Sequence, residues 1–305
     1  MHTVKGYFFN TENTITADCA PPLLEQSLAQ CEHYNNLLSK SVPGSDVWRI
    51  NHSRGKPVEI SEHTAGILKL ALEMYDVSGG RFNVAIGSVM ALWDFTNGSG
   101  TLPAPEALAE AMDNMDCGQI MLSGCLVLVP DGMKIDLGGI AKGYIADRIA
   151  ENLRNNGVKS ALINLGGNII TIGQKPDGTP WKIGLQVPFI EQKYRDKFWS
   201  AIDCADESIV TSGYYERGFY KDNRWYHHII DPVTGMPADN GVLSATVCAP
   251  SSFLADALAT PLFLLGEREG MALADRYGVG AAFYLRDNRV IVNADMKKRL
   301  RVHES

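Results

Sequence analysis

The chain has 305 residues, of which 45% are hydrophobic, 21% charged and 9% aromatic. That is ordinary globular composition, and it excludes disorder, collagen and coiled coil as the main architecture. Lys and Arg number 28 against 35 Asp and Glu, a formal net charge of -7, which argues against a protein that coats a nucleic-acid backbone. An acidic chain can still hold a phosphorylated ligand locally, through backbone N–H groups and a metal. No run of 18 apolar residues occurs, so no membrane-spanning helix is predicted. The start, Met1-His2-Thr3-Val4-Lys5, has no apolar signal core and no lipid-attachment cysteine. This sets the expectation of a cytoplasmic protein, or of a periplasmic lipoprotein whose leader has been removed. Cys19, Cys31, Cys117, Cys125, Cys204 and Cys248 are scattered without C-x-x-C spacing. They are expected as free thiols of a reducing compartment, with no zinc knuckle or redox pair.

The predicted elements begin with a strand from Val4 to Asn10. Pro21-Pro22 starts a helix through about Leu38, with Leu24, Leu28, Cys31 and Tyr34 at three- and four-residue spacing. Ser61 caps a second helix that runs to about Asp76 and stops before Gly79-Gly80, and a third spans Pro105 to Met115. Ile120 to Leu122 and Leu126 to Val129 read as a hairpin around Ser123-Gly124. Asp131-Gly132 turns into a further strand, Met133 to Leu137. An amphipathic helix follows Gly138-Gly139, with Ala141, Ile145, Ile149 and Leu153 on one face, and ends at Gly157. Strands are predicted at Ser160–Leu165, Ile169–Ile172, Trp181–Val187, Tyr226–Ile230 and Leu243–Val247, and a helix from about Ser252. Helices cluster early and strands dominate the middle, which reads as α+β. With no repeat, linker or shift of composition, residues 1–305 read as one domain.

Three segments are dense in chemistry. In Lys134-Ile-Asp-Leu-Gly-Gly-Ile-Ala-Lys-Gly143 a strand delivers two glycines to a helix start, which offers unpaired N–H groups to an anion. Lys142 stands in the first helical turn, where a cation opposes the helix dipole and a phosphate would compensate. The plain alternative is a tight turn with a surface lysine. In Tyr226-His-His-Ile-Ile-Asp-Pro-Val-Thr-Gly235, His228 ends an apolar strand before an Asp-Pro turn, where it is either a general base or a structural histidine. In Ser252-Phe-Leu-Ala-Asp-Ala-Leu-Ala-Thr-Pro261 an almost wholly apolar helix carries one carboxylate. Asp256 must be capped, paired or metal-bound. Thr260 shares its face, and Pro261 leaves the Ala257 carbonyl without its helical donor. Such oxygens suit Mg²⁺. The alternative is an Asp that serves only the helix N-terminus.

Together the blocks resemble the ApbE family, the FAD:protein FMN transferases. Asp136 to Gly143 is similar to D-L-G-G-I-A-K-G, His228 to Gly235 to H-I-I-D-P-x-T-G, and Ala255 to Thr260 to A-D-A-L-A-T. Asn164-Leu-Gly-Gly-Asn168 and Thr211-Ser-Gly-x-x-Glu-Arg217 fit two further family blocks, and the order along the chain agrees. Departures are Asn83-Val84-Ala85 in place of D-P-T, and Ser41 where members often carry tyrosine or asparagine.

The resemblance implies a two-lobed, T-fold-like α+β domain with mostly antiparallel sheets, flanking helices and FAD in a cleft. It implies Mg²⁺ held by Asp256, Thr260 and the main-chain oxygen of Gly139. FAD would contact Asp136, Lys142, Gly167, His228 and Ile230, with His228 the candidate base. Trp93 would lie near the flavin, as would Phe9, which stands in the place of the usual M-G-T methionine. The position of Ser41 is linked in the family to the balance of hydrolysis and transfer. The implied reaction moves FMN from FAD to a Thr or Ser hydroxyl of an acceptor flavoprotein, with release of AMP. The acceptor pattern D-G-x-S/T-G-A-T/S is absent from this chain. An Mg²⁺-dependent FAD pyrophosphatase giving FMN and AMP is the alternative, and a non-catalytic flavin carrier is a third class.

Overall fold

The computed structural model describes residues 1–95, 100–189, 191–194 and 197–300, and all counts refer to these. Strands β1 (His2–Phe8) and β2 (Thr11–Ala17) come first, then α1 (Pro21–Leu38), α2 (Asp46–Asn51), β3 (Val58–Glu59), α3 (Glu62–Val77), α4 (Gly87–Met90) and α5 (Pro105–Asp113). The hairpin β4 (Met121–Ser123) and β5 (Leu126–Leu128) precedes α6 (Ala141–Asn155). Next are β6 (Ala161–Leu165), β7 (Asn168–Ile172), β8 (Trp181–Gln186), β9 (Phe198–Cys204), β10 (Ser208–Gly213), β11 (Gly218–Lys221) and β12 (Arg224–His227). The series ends with β13 (Val242–Ala249), α7 (Ser252–Tyr277), β14 (Gly280–Leu285), β15 (Val290–Val292) and α8 (Ala294–Lys297). These elements form two compact units. The first comprises Met1–Asn35, Ala141–Gly213 and the described part of Gly241–Ser305; the second comprises Asn36–Ile140 and Tyr214–Asn240. All paired strands are antiparallel, so the α+β class with antiparallel sheets holds.

The first unit is built on an eight-stranded sheet of order β1-β2-β6-β7-β10-β13-β14-β15. Strands β13 and β14 are buried along their whole length, because both faces are covered. Helix α7 packs on β10, β13 and β14, and α6 packs on α7 and β7. The β8–β9 ribbon supplies Trp181, Ile183, Leu185, Ile202 and Cys204 to a core shared with Ile209, Cys248 and Ala282. Phe9 and Asn10 both have positive φ, 56° and 59°, so β1 stops at Phe8 and a two-residue turn leads into β2. A bulky residue is costly there, and the Phe9 N–H is held by Asn35 Oδ1 at 3.1 Å. Helix α7 runs through Pro261; the non-helical residue is Gly266, with φ 81°.

In the second unit β3, β5 and β4 form a small sheet, with α3 the longest helix entirely within it. Ser61 caps α3, its Oγ accepting the Thr64 N–H at 3.1 Å. The strand expected at Met133–Leu137 is instead a segment outside the named sheets, with a single parallel bridge from Lys134 to Ile86. The Asn51 amide takes the place of a neighbouring strand, accepting the Ile135 N–H at 2.8 Å and donating to its carbonyl at 3.0 Å. Asp136 N–H reaches Val84 O at 2.8 Å. Gly87 is required here: a Cβ would lie 2.6 Å from the Lys134 carbonyl oxygen. The strand expected at Tyr226–Ile230 is also divided. Its first part is β12, paired with β11, while Ile229 and Ile230 fold against Pro237 and Ala238. All six cysteines are free. Burial pushes the Cys117 and Cys204 thiols up to about 11, so they serve as packing residues and not as nucleophiles.

Candidate active site

The predicted site residues divide between the two units. Phe9, Lys142, Gly167, Asp256 and Thr260 belong to the first; Ser41, Trp93, Asp136, Gly139, His228 and Ile230 belong to the second.

In the first unit the structure brings Lys142 and Asp256 together. Asp256 is 5% exposed, and its Oδ2 accepts the Gly143 N–H at 2.8 Å. The carboxylate thus takes a donor from the first turn of α6, where N–H groups have no helical acceptor. Burial raises its pKa, against the Lys142 charge, the Gly143 N–H and the Asn168 amide, which all favour the ionised form. Contact this close needs a residue without a side chain: a Cβ on Gly143 would sit 2.3 Å from Ser252 O and 2.6 Å from Asp256 Cβ. One turn beyond Asp256, Thr260 Oγ1 is 3.1 Å from Ser212 Oγ at the end of β10. The start of α7 is fixed by Asp147 of α6, which accepts from Ser251 Oγ (2.7 Å), Ser252 N–H (2.8 Å) and Phe253 N–H (3.0 Å). Asn168 accepts from Ser252 Oγ at 2.5 Å, while its Nδ2 is buried with no hydrogen-bond partner. Gly167 sits exposed in the β6–β7 turn, its N–H on Asn164 Oδ1 at 2.8 Å.

Among the described residues no three His, Cys, Asp or Glu side chains cluster as metal ligands. What Asp256 and Thr260 offer is one carboxylate and one hydroxyl, both hard oxygen donors of the kind Mg²⁺ accepts while keeping several waters. A buried carboxylate that burial holds above its ordinary pKa is under-compensated without a cation. The donor set therefore fits magnesium.

In the second unit Asp136 holds its own turn. Its Oδ1 accepts the Gly138 N–H at 2.8 Å, and its Oδ2 accepts from Lys40 Nζ at 2.6 Å. Gly139 lies in the same turn, two residues before α6 begins. Ser41 is exposed, its N–H on Ser39 Oγ at 3.1 Å. His228 follows β12. Its N–H donates to Arg217 O at 3.1 Å, and its Nδ1 faces the same carbonyl at 3.3 Å. A carbonyl only accepts, so Nδ1 carries the hydrogen of the neutral ring and Nε2 is the basic nitrogen. The adjacent His227 is the structural one, with Nε2–H on Ala238 O at 2.9 Å and Nδ1 accepting from Ile229 N–H at 3.3 Å. Ile230 is buried against the Pro237 bridge. Arg81 clamps the turn that follows, with Nη1 3.0 Å from each Asp231 carboxylate oxygen. Trp93 is 7% exposed. Its Nε1–H donates to Gly235 O at 3.3 Å, and its ring stacks on Phe95 beside Phe219 and Tyr226. It therefore supports the same turn from an aromatic core.

Lys40, Arg81 and Asp147 are absent from the residues picked out by sequence. Their partners lie 96, 150 and 104 residues away along the chain, and no local pattern marks them.

An antiparallel α+β scaffold that buries a carboxylate against a glycine-led helix start belongs to proteins suited to an anionic ligand with a hard cation. The profile of the ApbE family matches residues 9–283. The FAD:protein FMN transferase of Treponema pallidum (strain Nichols) is 37% identical over 297 residues, covering 92% of this chain and 81% of that protein. A second, from Klebsiella pneumoniae (strain 342), is 35% identical over 273 residues, covering 88% and 84%. The crystal structure of the ApbE protein of Thermotoga maritima superposes with a TM-score of 0.89 at 28% identity, covering 99% of each chain. The flavin transferase ApbE of Vibrio cholerae gives 0.86 at 27% identity, covering 98% of this chain and 99% of that one. The chain belongs to the ApbE family.

Proposed function

We propose that this protein is an FAD:protein FMN transferase, which moves the FMN moiety of FAD to a Thr or Ser hydroxyl of an acceptor flavoprotein and releases AMP. The observation that carries the reading is the buried Asp256 carboxylate at the start of α6, in a chain that keeps the family's blocks in order. Asp256 and Thr260 hold Mg²⁺ in this reading. Gly139, in the second unit, is carried over as a main-chain donor on the motif alone. When bound, the ion would offset negative charge building on the diphosphate as the bond to the AMP leaving group breaks. Lys142 and the N–H groups of the first turn of α6 add to that stabilisation. His228 takes the proton of the attacking hydroxyl on Nε2 while the Arg217 carbonyl fixes the ring through Nδ1. The new bond joins the acceptor oxygen to the FMN phosphorus, and the oxygen bridging to AMP departs with the electron pair. Asp136, Phe9, Trp93, Gly167 and Ile230 are assigned to FAD by the resemblance; Trp93 acts there through the turn it supports.

Hydrolysis of FAD to FMN and AMP, with water in place of the hydroxyl, is the second reading. The small, exposed Ser41 favours it, since it closes off little space from water. Chromatography of AMP released from FAD in the presence of Mg²⁺ tests the reaction. His228→Ala should slow release about 10²- to 10⁴-fold, the usual contribution of a positioned base, with FAD binding retained. Wild-type rates in this variant would remove His228 as the base.

A further inference from the structure

The hydroxyl of Thr260 is held from outside its own helix. Its Oγ1 lies 3.1 Å from Ser212 Oγ, and either hydroxyl could be the donor. The two residues are 48 apart along the chain, both are half-buried, and both belong to the first unit. The sheet fixes one end of this contact. Ser212 pairs with Ala245 in the ladder of β10 with β13, and its neighbour Thr211 meets Thr246 across the same ladder, Oγ1 to Oγ1, at 2.9 Å. Helix α7, which carries Thr260, packs on both strands.

A threonine hydroxyl has one proton and two lone pairs. Within a helix that proton commonly goes to the carbonyl one turn back, which for Thr260 is that of Asp256. Ser212 Oγ provides a different acceptor, set by the sheet. A cation on Thr260 Oγ1 would occupy a lone pair, and the proton would have to point away from it. Such a cation decides what the distance leaves open: Thr260 donates and Ser212 accepts. Asp256 is held in a comparable way, by the Gly143 N–H at 2.8 Å. The two oxygen donors stand one turn apart on α7, and each is anchored by a different element, α6 for Asp256 and β10 for Thr260.

We infer that Ser212 is a positioning residue for Thr260: its Oγ accepts the Thr260 O–H, so that a lone pair of Thr260 Oγ1 stays available to Mg²⁺ beside Asp256. This inference rests on the reading of Asp256 and Thr260 as magnesium donors. Ser212 acts through Thr260 and is given no contact with the ion.

The test is the Mg²⁺ dissociation constant of the FAD-free protein, fitted from the rise of melting temperature with added Mg²⁺, for the wild type, Ser212→Ala and Ser212→Thr. Melting in EDTA reports the fold separately. Ser212→Ala should weaken Mg²⁺ binding about tenfold, the lower end of the cost of removing a partner that orients a metal ligand. Ser212→Thr keeps the acceptor and should bind like the wild type. Wild-type Mg²⁺ affinity in Ser212→Ala, whatever its melting temperature in EDTA, overturns the inference while the functional reading stands. An equal loss in both variants also overturns it, because packing and not the hydroxyl would then be responsible. A wild-type protein whose melting does not respond to Mg²⁺ overturns the magnesium assignment together with the inference.

Discussion

At the scale of single residues the account rests on one carboxylate whose environment disfavours its charge. Asp256 is held above the usual carboxylate range by burial, in spite of Lys142 and the Gly143 N–H. A group with a raised folded-state pKa contributes stability at low pH that is lost as pH rises through that pKa. Asp256 therefore weakens the metal-free protein as the pH rises above the ordinary carboxylate range. Replacing it with Asn removes the charge and keeps an acceptor for Gly143. In EDTA, Asp256→Asn should melt above the wild type at pH 8, by roughly 2 °C for each kcal/mol recovered, and the gap should close toward acid pH. With Mg²⁺ the order should reverse, because only the wild type gains a ligand-linked shift. A variant that melts below the wild type in EDTA at every pH would contradict this view.

At the scale of elements, two close contacts set the geometry. The contact of α6 with α7 depends on Gly143, and Gly143→Ala should cost about 1–3 kcal/mol, the usual penalty of overpacking. Denaturant titration measures it, and a loss below about 0.5 kcal/mol would show that the helices can part freely. The turn between α2 and α3 depends on Asp46, which is buried and accepts from Thr64 Oγ1 (2.6 Å), Ser61 N–H (2.8 Å) and Arg49 Nη2 (2.5 Å). Burial pushes its pKa up, but these donors outweigh burial and the net direction is down. The sign is opposite to that of Asp256: the stabilisation is present above the ordinary carboxylate pKa and is lost as pH falls through the depressed one. Asp46→Asn should cost about 1–3 kcal/mol at pH 7, and the difference in melting should narrow near pH 3. A gap that stays constant with pH would show that the charge of Asp46 is irrelevant.

Element reading from sequence succeeded where periodicity and caps agree. α1 begins at Pro21 and ends at Leu38 as expected, and α3 starts after Ser61. It failed where a partner is remote. Met133 to Leu137 has a strand's composition, but its hydrogen bonds go to scattered remote partners, Asn51, Val84 and Ser88. Strands β2, β3, β9, β10, β11, β14 and β15 are not among the predicted elements; the fully buried β14 lacks the alternation of a half-buried strand.

At the scale of the whole molecule, each unit is assembled from segments that are not contiguous, so no shift of composition along the chain could reveal a boundary. The candidate chemistry was more legible than the topology. Close backbone approach, helix starts and hard-oxygen donors leave short, ordered blocks in the sequence. The residues that brace them do not: Asp147 is one acid among the polar positions of α6, and Arg81 and Lys40 look like ordinary surface cations. Their roles emerge only when the chain brings Ser251, Asp231 and Asp136 to them. Among the described residues no helix is long and apolar enough to cross a membrane.

The central claim is transfer of FMN to a protein hydroxyl. Its most direct test is intact-mass spectrometry of a small acceptor domain bearing the D-G-x-S/T-G-A-T/S pattern, incubated with this protein, FAD and Mg²⁺. The account predicts a mass gain equal to FMN less one water on the motif's threonine or serine, abolished by EDTA and by Asp256→Asn. An unmodified acceptor, with FMN and AMP accumulating free in solution, would contradict transfer and identify the protein as a hydrolase of FAD.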